Sequence, residues 1–234
     1  MMNMKKVIGF VCLLCLLSGN NIIAQEGSLL AKDFETRINI QHPQLLDVRT
    51  AAEYQSGHLK NSLQADWLNK EQFADRIKYL DKTKPLLVYC ASGMRSGAAA
   101  KWLLDNGFLD VQNLKGGLVS WKLEGRSMEA VDTKVQLAIE AYQDLTKSGD
   151  VVLVDFGAEW CPPCKKMEPI LQQLHKELTG QFKLVKIDGG IDIDVMKSQK
   201  VDALPVFIIY KKGKEIWRKQ GVVELSELKS KLIR

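Results

Sequence analysis

The chain has 234 residues, 46% of them hydrophobic and 26% charged, with a formal net charge of +5. That length accommodates two domains of ordinary size, and that composition belongs to a globular chain and excludes a disordered one. Basic residues are scattered among acidic ones, without basic runs interleaved with aromatics, so the charge pattern argues against nucleic acid as a partner.

Residues 1–24 have the pattern of a secretory signal. Lys5 and Lys6 give a positive start, 7–17 is an apolar stretch too short to span a bilayer comfortably, and Ala24 is a suitable last residue before cleavage. The competing reading is an uncleaved anchor. Cys12 and Cys15 fall inside the apolar stretch, where Val11 and Leu14 are poor neighbours for a lipid-anchored cysteine. Removal of the segment takes Lys5 and Lys6 with it and lowers the charge from +5 to +3. It leaves Cys90, Cys161 and Cys164 of the original five cysteines. An odd cysteine in an exported protein flags a free reactive thiol, and Cys90 is that residue. The expected location is periplasmic or secreted.

A first domain is expected over 25–124. Residues 25–44 form a polar, helical lead-in with Phe34 and Ile38 turned inward. Residues 45–48 are a short strand, and 49–57 a turn with a short helix. Residues 85–89 are wholly apolar, as in a strand of a buried parallel sheet, and this strand ends at Cys90. Residues 98–104 are helical and end near Asn106-Gly107, with Gly as the cap. Strands alternating with helices indicate an α/β fold.

Between strand and helix lies Cys90-Ala91-Ser92-Gly93-Met94-Arg95-Ser96. A thiol at a strand end, followed by small residues and a helix, sits in a nest of backbone N–H groups that favours anions, here a thiolate or a persulfide. Ala91, Ser92, Gly93 and Met94 are the expected binding loop, and Arg95 adds a forked cationic donor for an oxyanion. The alternative is an inert cysteine buried under a glycine turn.

The loop resembles the active-site loop of rhodanese-type sulfurtransferases. Leu46-Asp47-Val48-Arg49, Glu53-Tyr54, Gly57-His58-Leu59, Asn61-Ser62, Lys115-Gly116-Gly117 and Trp121 extend the likeness over about 29–124. In that family a six-residue loop, as from Cys90 to Arg95, suits sulfur, and longer loops suit phosphate. The resemblance therefore implies a three-layer parallel-sheet domain with a cysteine persulfide, and structural roles for Asp47, Arg49 and His58.

Residues 124–132 are short and polar, with Gly125; 125–131 is the expected linker, too short to let the domains roam, since nine residues reach roughly 30 Å at full stretch. A second domain is expected over 132–234. Val135, Ala138, Ile139, Tyr142 and Leu145 mark an amphipathic helix. An apolar strand over 151–156 runs into Glu159-Trp160-Cys161-Pro162-Pro163-Cys164-Lys165-Lys166. A helix follows, with Met167, Ile170, Leu171, Leu174 and Leu178 on one face. A strand over 182–187, a short helix over 192–199, a hairpin of 204–210 and 215–218, and a closing helix carrying Leu225, Leu228 and Leu232 complete the order.

The paired cysteines thus stand where a strand hands over to a helix N-terminus, which favours a thiolate. A zinc half-site is one alternative, but it needs two more ligands, and His42, His58 and His175 are not paired at ligand spacing. A structural disulfide is another. The strand–CxxC–helix context favours redox chemistry.

The stretch from Val154 to Lys165, with Ala203-Leu204-Pro205-Val206-Phe207, resembles thioredoxins, departing at Gly157, where an aromatic is common, and at Pro162, where Gly is common. The expected roles are Cys161 as the exposed attacking thiolate and Cys164 as the shielded resolving thiol. Asp155, in an apolar strand, is expected to have a raised pKa; the resemblance makes it the proton relay for Cys164. It also implies a cis Pro205 that turns the Leu204 backbone toward the pair, with Trp160, Leu204 and Pro205 binding substrate. The combined expectation is an exported thiol–disulfide reductase coupled to a persulfide-carrying sulfurtransferase, without cofactor or metal. Its expected partners are protein disulfides, sulfane-sulfur donors such as thiosulfate, and a membrane reductase. The rivals are a protein-disulfide reductase whose first domain only binds, and a metal- or thiol-binding carrier without turnover.

Overall fold

A computed structural model describes residues 25–129 and 135–233; the expected signal segment 1–24, the end of the expected linker at 130–131 and the first residues of the expected second domain, 132–134, lie outside the described residues. Five parallel strands form the first sheet: β1 (Gln25–Leu29), β2 (Gln44–Asp47), β3 (Leu63–Gln64), β4 (Leu86–Tyr89) and β5 (Asp110–Leu114), in the order β1-β5-β4-β2-β3. Side chains alternate across the central strands. Leu46, Leu86 and Val88 pack beneath α3 (Lys70–Ile77) and α4 (Met94–Asp105) through Phe73, Ile77, Ala99 and Leu103. Leu45, Leu87 and Tyr89 pack on the other face against α1 (Ala31–Gln41) and α5 (Gly117–Leu123) through Phe34, Leu118 and Trp121. This is the expected three-layer parallel architecture.

Two expectations change at its margins. The lead-in is not helical throughout: Gln25–Leu29 pairs in parallel with β5, because an edge position accepts a polar, glycine-containing strand that lacks an apolar signature. Part of the expected linker belongs to the first domain. Ser127 accepts a hydrogen bond from the Trp121 indole at 2.9 Å, Glu129 N–H donates to the His58 carbonyl at 2.8 Å, and Met128 packs against the Phe34–Trp121 cluster.

The second sheet holds β6 (Val151–Gly157), β7 (Lys183–Asp188), β8 (Val206–Lys211) and β9 (Lys214–Gln220) in the order β7-β6-β8-β9; β6 runs parallel to β7 and antiparallel to β8. One face packs on α6 (Ile139–Thr146) and α8 (Ile193–Ser198), the other on α7 (Pro162–Glu177) and α9 (Leu225–Leu232). The helix expected from Val135 begins only at Ile139, and Val135 is 94% exposed.

The domains meet at the carboxyl end of the first sheet. Gln64 N–H donates to the Trp160 carbonyl at 2.8 Å, and the Gln55 side-chain amide, at the end of α2 (Ala51–Gln55), donates to the Gly190 carbonyl at 2.8 Å.

Candidate active sites: Cys90 and the Cys161–Cys164 pair

Cys90 follows β4 directly and is buried. Gly93, left-handed at φ 86°, caps α4 and turns its N–H onto the Cys90 sulfur at 3.1 Å; the Ser96 hydroxyl adds a contact at 3.3 Å. Burial pushes the Cys90 thiol up, but the Ser96 hydroxyl and the N–H groups of Ser96, Ser92 and Gly93 outweigh it and hold the pKa below the ordinary cysteine value. The loop is also fixed from behind. Leu118 and Val119 N–H groups donate to the Cys90 and Ala91 carbonyls at 2.9 and 3.0 Å. This close approach requires Gly117, where a Cβ would lie 2.4 Å from the Cys90 oxygen at φ +58°. The Lys115-Gly116-Gly117 run therefore shapes the cradle of the thiol.

Ala91, Ser92 and Gly93 line the loop; Met94 is 80% exposed at its rim. Arg95 is not free to receive an anion as the sequence suggested. Its two terminal nitrogens donate to both Glu53 oxygens at 2.8 and 2.6 Å. Glu53 reciprocally caps α2 with Thr50. In the sequence Glu53 stands out only as part of a family motif, since a partner 42 residues away carries no local signal. Asp47 and Arg49 form a buried pair at 2.6 Å, with Arg49 also donating to the Gly57 carbonyl, and His58 stacks on Tyr54 at 3.8 Å. These are framework contacts.

In the second domain Cys161 and Cys164 are joined as a disulfide at the start of α7, with Cys161 at the N-cap and Pro162 and Pro163 in the first turn. The expected exposures are reversed: Cys161 is fully buried and Cys164 half-buried. Cys161 N–H closes a turn onto the Ala158 carbonyl at 3.2 Å and its side chain joins the core cluster containing Phe156 and Leu204, while the first domain holds the Trp160 carbonyl next to it. The Leu204–Pro205 peptide is cis, and both residues are buried.

Asp155 alternates with the inward Val154 and Phe156, so it lies with Leu153 on the α7 face of β6. Burial raises its pKa to about 6; Lys186, its cross-strand neighbour, opposes the rise and Glu168 on α7 adds to it. Glu168 is one turn beyond Cys164, which places Asp155 beneath the first turns of α7. Gly157 keeps this carboxyl unencumbered: a Cβ there would stand 3.3 Å from Asp155 Oδ1.

Trp160 is half-buried, with its ring 5.7 Å from Tyr54 and 5.2 Å from the Arg76 guanidinium. Arg76, itself buried, donates to the Gln64 carbonyl at 3.1 Å, and burial pulls its pKa down to about 10. Gln55, Gln64 and Arg76 carry no motif signal for their contacts with Gly190 and Trp160, because those partners lie in the other domain. Among the described residues, no group of three or more His, Cys, Asp or Glu could hold a metal ion.

A three-layered mixed sheet with a disulfide at the first turn of its central helix and a buried carboxyl behind it defines a thioredoxin-like oxidoreductase. Comparison with known proteins agrees. The Thioredoxin family model matches residues 133–234, and the Rhodanese-like domain model matches 30–124. Thioredoxin-like protein slr0233 of Synechocystis is 37% identical over 84 residues, which are 36% of this chain and 80% of that protein. Chloroplastic Thioredoxin Y of Oryza sativa is 42% identical over 84 residues, covering 36% of this chain and half of the rice protein's length. A rhodanese-related protein of Thermoplasma volcanium is 31% identical, covering 44% of this chain and 96% of that one, with a TM-score of 0.39. The chain belongs to the thioredoxin family and carries a rhodanese-like domain ahead of its thioredoxin domain.

Proposed function

We propose that this protein is an exported thiol–disulfide oxidoreductase working in the reducing direction, and that its rhodanese-like domain is a sulfurtransferase carrying a persulfide on Cys90. The observation that carries the sulfurtransferase half is the Cys90 sulfur itself, cradled by the Gly93 N–H and the Ser96 hydroxyl and held toward the thiolate. The Cys90 thiolate attacks the outer sulfur of a sulfane donor such as thiosulfate. The donor S–S bond breaks, sulfite leaves, and Cys90 holds the transferred sulfur.

The reduced Cys161–Cys164 pair discharges it. The Cys161 thiolate takes the outer sulfur and Cys90 departs as thiolate. Cys164 then attacks the Cys161 sulfur, releases sulfide and closes the disulfide. Asp155, poised near neutrality, accepts the Cys164 proton. Trp160 and the backbone of the cis Leu204–Pro205 peptide are the groups that meet an extended partner segment. Protein disulfides are reduced by the same pair, and in an oxidising compartment a membrane reductase restores the dithiol. Contact between the first domain and the Trp160 turn also fits a second reading, in which the rhodanese-like domain only binds.

Mass spectrometry of the full chain after thiosulfate, with and without dithiothreitol, separates the two. A gain of one sulfur atom on Cys90, discharged as sulfide when the pair is reduced, is the expected result. No gain on Cys90 leaves the binding-module reading.

A further inference from the structure

In the described structure the active disulfide's own docking face is occupied. Trp160, the residue before Cys161, has its carbonyl bonded to Gln64 N–H at 2.8 Å and its ring against Tyr54 and the Arg76 guanidinium. Gly190, close enough to the indole that a Cβ there would lie 3.1 Å from Trp160 Nε1, has its carbonyl bonded to the Gln55 amide at 2.8 Å. The Trp160 contacts and the Gln55–Gly190 bond reach two separate loops of the second domain, so one patch of the first domain, made by Tyr54, Gln55, Gln64 and Arg76, holds the Trp160 turn together with the Gly190 loop beside its indole.

The patch is braced from within the first domain. Tyr54 is anchored by its hydroxyl on the Ser62 carbonyl at 2.7 Å, and Arg76 is tied to the Gln64 carbonyl at 3.1 Å. Gln64 presents an N–H at the end of a two-residue edge strand, the group with which such an edge binds an extended segment. An indole beside a phenol and a guanidinium combines an aromatic pair with a cation–π contact.

We propose that the Tyr54–Gln55–Gln64–Arg76 patch is a docking site for the Trp160–Cys161 turn of this same chain, and that the docked first domain caps the disulfide against protein substrates, which gain access when it undocks. The proposal rests on the reading of Cys161–Cys164 as a dithiol redox pair. Small thiols and disulfides still reach the half-buried Cys164 side, whereas a folded protein disulfide must displace the first domain. Each turnover on a protein is then balanced as attack of the Cys161 thiolate on the target disulfide, release of one target thiol, attack of Cys164 on the mixed disulfide and release of the second, with dithiothreitol returning two electrons and two protons to the pair.

The test uses the full chain and Gln55→Glu. This isosteric change at the half-buried end of α2 removes the donor to Gly190 and sets a carboxylate against that carbonyl, near Asp188. Two rates are compared: reduction of insulin, which is bulky, at fixed dithiothreitol, and, after the dithiothreitol is removed, reaction of the reduced pair with 5,5′-dithiobis(2-nitrobenzoate), which is small. Loss of this part-buried bond, with a carboxylate set against the acceptor, shifts the open population by about tenfold, so insulin reduction rises about tenfold and the small-disulfide rate stays level. Equal rates for parent and variant on both substrates, or equal acceleration of both, overturn the cap. Failure of the parent to react with the small disulfide overturns the redox reading itself and the cap with it. Arg76→Lys, which keeps the charge but loses the planar stack on Trp160, provides the second variant; it must move insulin reduction in the same direction, and an unchanged insulin rate in a folded protein counts against the patch.

Discussion

Glu53 grips Arg95 by both carboxylate oxygens, at 2.6 and 2.8 Å, beside the loop that carries Cys90. The hydrogen bonds from Arg95, acting against partial burial and helped by Thr50, hold Glu53 down at about 2, so the pair stays ionised across the working pH range. The guanidinium that would receive an oxyanion is already neutralised.

Arg95→Ala is therefore expected to reduce kcat/KM for thiosulfate by less than the 1.5–3 kcal/mol that a free guanidinium–oxyanion bond contributes, roughly. Glu53→Gln keeps the helix cap, because Gln serves in a capping box as Glu does, and releases the charge on Arg95. It should raise thiosulfate kcat/KM by about tenfold, on the same scale. Steady-state sulfurtransferase assays of the two variants and the parent decide it; a Glu53→Gln enzyme no faster than the parent would show that Arg95 is not an anion receptor.

Cys90→Ser should abolish persulfide formation and leave insulin reduction by the Cys161–Cys164 pair nearly intact. The motive is that the two sulfur centres sit in separate cores built on separate sheets. Matching losses of both activities in a folded variant would end the two-site picture.

Asp155 links pH to both rate and stability. It is an acid whose folded pKa is raised, from 3.8 to about 6. Its protonated form is favoured by folding, so the favourable contribution is fully present below the unfolded value and disappears as pH climbs through about 6. Above that window the buried carboxylate costs the oxidised protein about 3 kcal/mol, at 1.36 kcal/mol per unit. Asp155→Asn should accordingly gain stability over the parent at pH 8 and lose that advantage by pH 4, measured by urea unfolding. Turnover of the pair should slow, since an amide cannot accept the Cys164 proton. A pH–rate profile identical to the parent's would remove Asp155 from the proton path.

Pro162 and Pro163 occupy the first turn of α7, so two of the N–H groups that ordinarily face an N-terminal thiolate are missing. A less stabilised thiolate makes a weaker oxidant, and the expected potential is near −270 mV, roughly that of a thioredoxin, and far from about −120 mV. Equilibration of the full chain carrying Cys90→Ser with glutathione buffers measures it. A value above about −180 mV would make disulfide formation the better assignment.

Gly117→Ala should damage the Cys90 site more than its size suggests. The added methyl would meet the Cys90 and Ala91 carbonyl region at 2.4–2.6 Å in a left-handed backbone. The loss expected is at least 1–3 kcal/mol, on the order of a strained non-glycine residue, together with a raised Cys90 pKa. Thermal unfolding and the pH dependence of Cys90 alkylation report the two effects; a variant with parental values in both would mean the cradle tolerates a Cβ.

The sequence by itself determined both domains, their order and the placing of Cys90 and the Cys161–Cys164 pair where strands hand over to helices, because each of those signals is local. Apolar runs such as 85–89 and 151–156 specify buried strands, and glycines at Gly93 and Gly117 specify backbone that only glycine adopts cheaply. The raised pKa of Asp155 was also legible, from a carboxyl set in an apolar strand. What only the tertiary structure decided depends on residues far apart in the chain. The polar strand β1 exists because β5 offers it an edge. Arg95 is occupied because Glu53 reaches it across 42 positions. Cys161 is buried because its side chain joins a core drawn from residues 142 to 210. The Trp160 turn beside it is held by Gln64, because hydrogen bonds and stacking between domains form only when two finished surfaces meet, and no periodicity or motif within either one encodes that meeting.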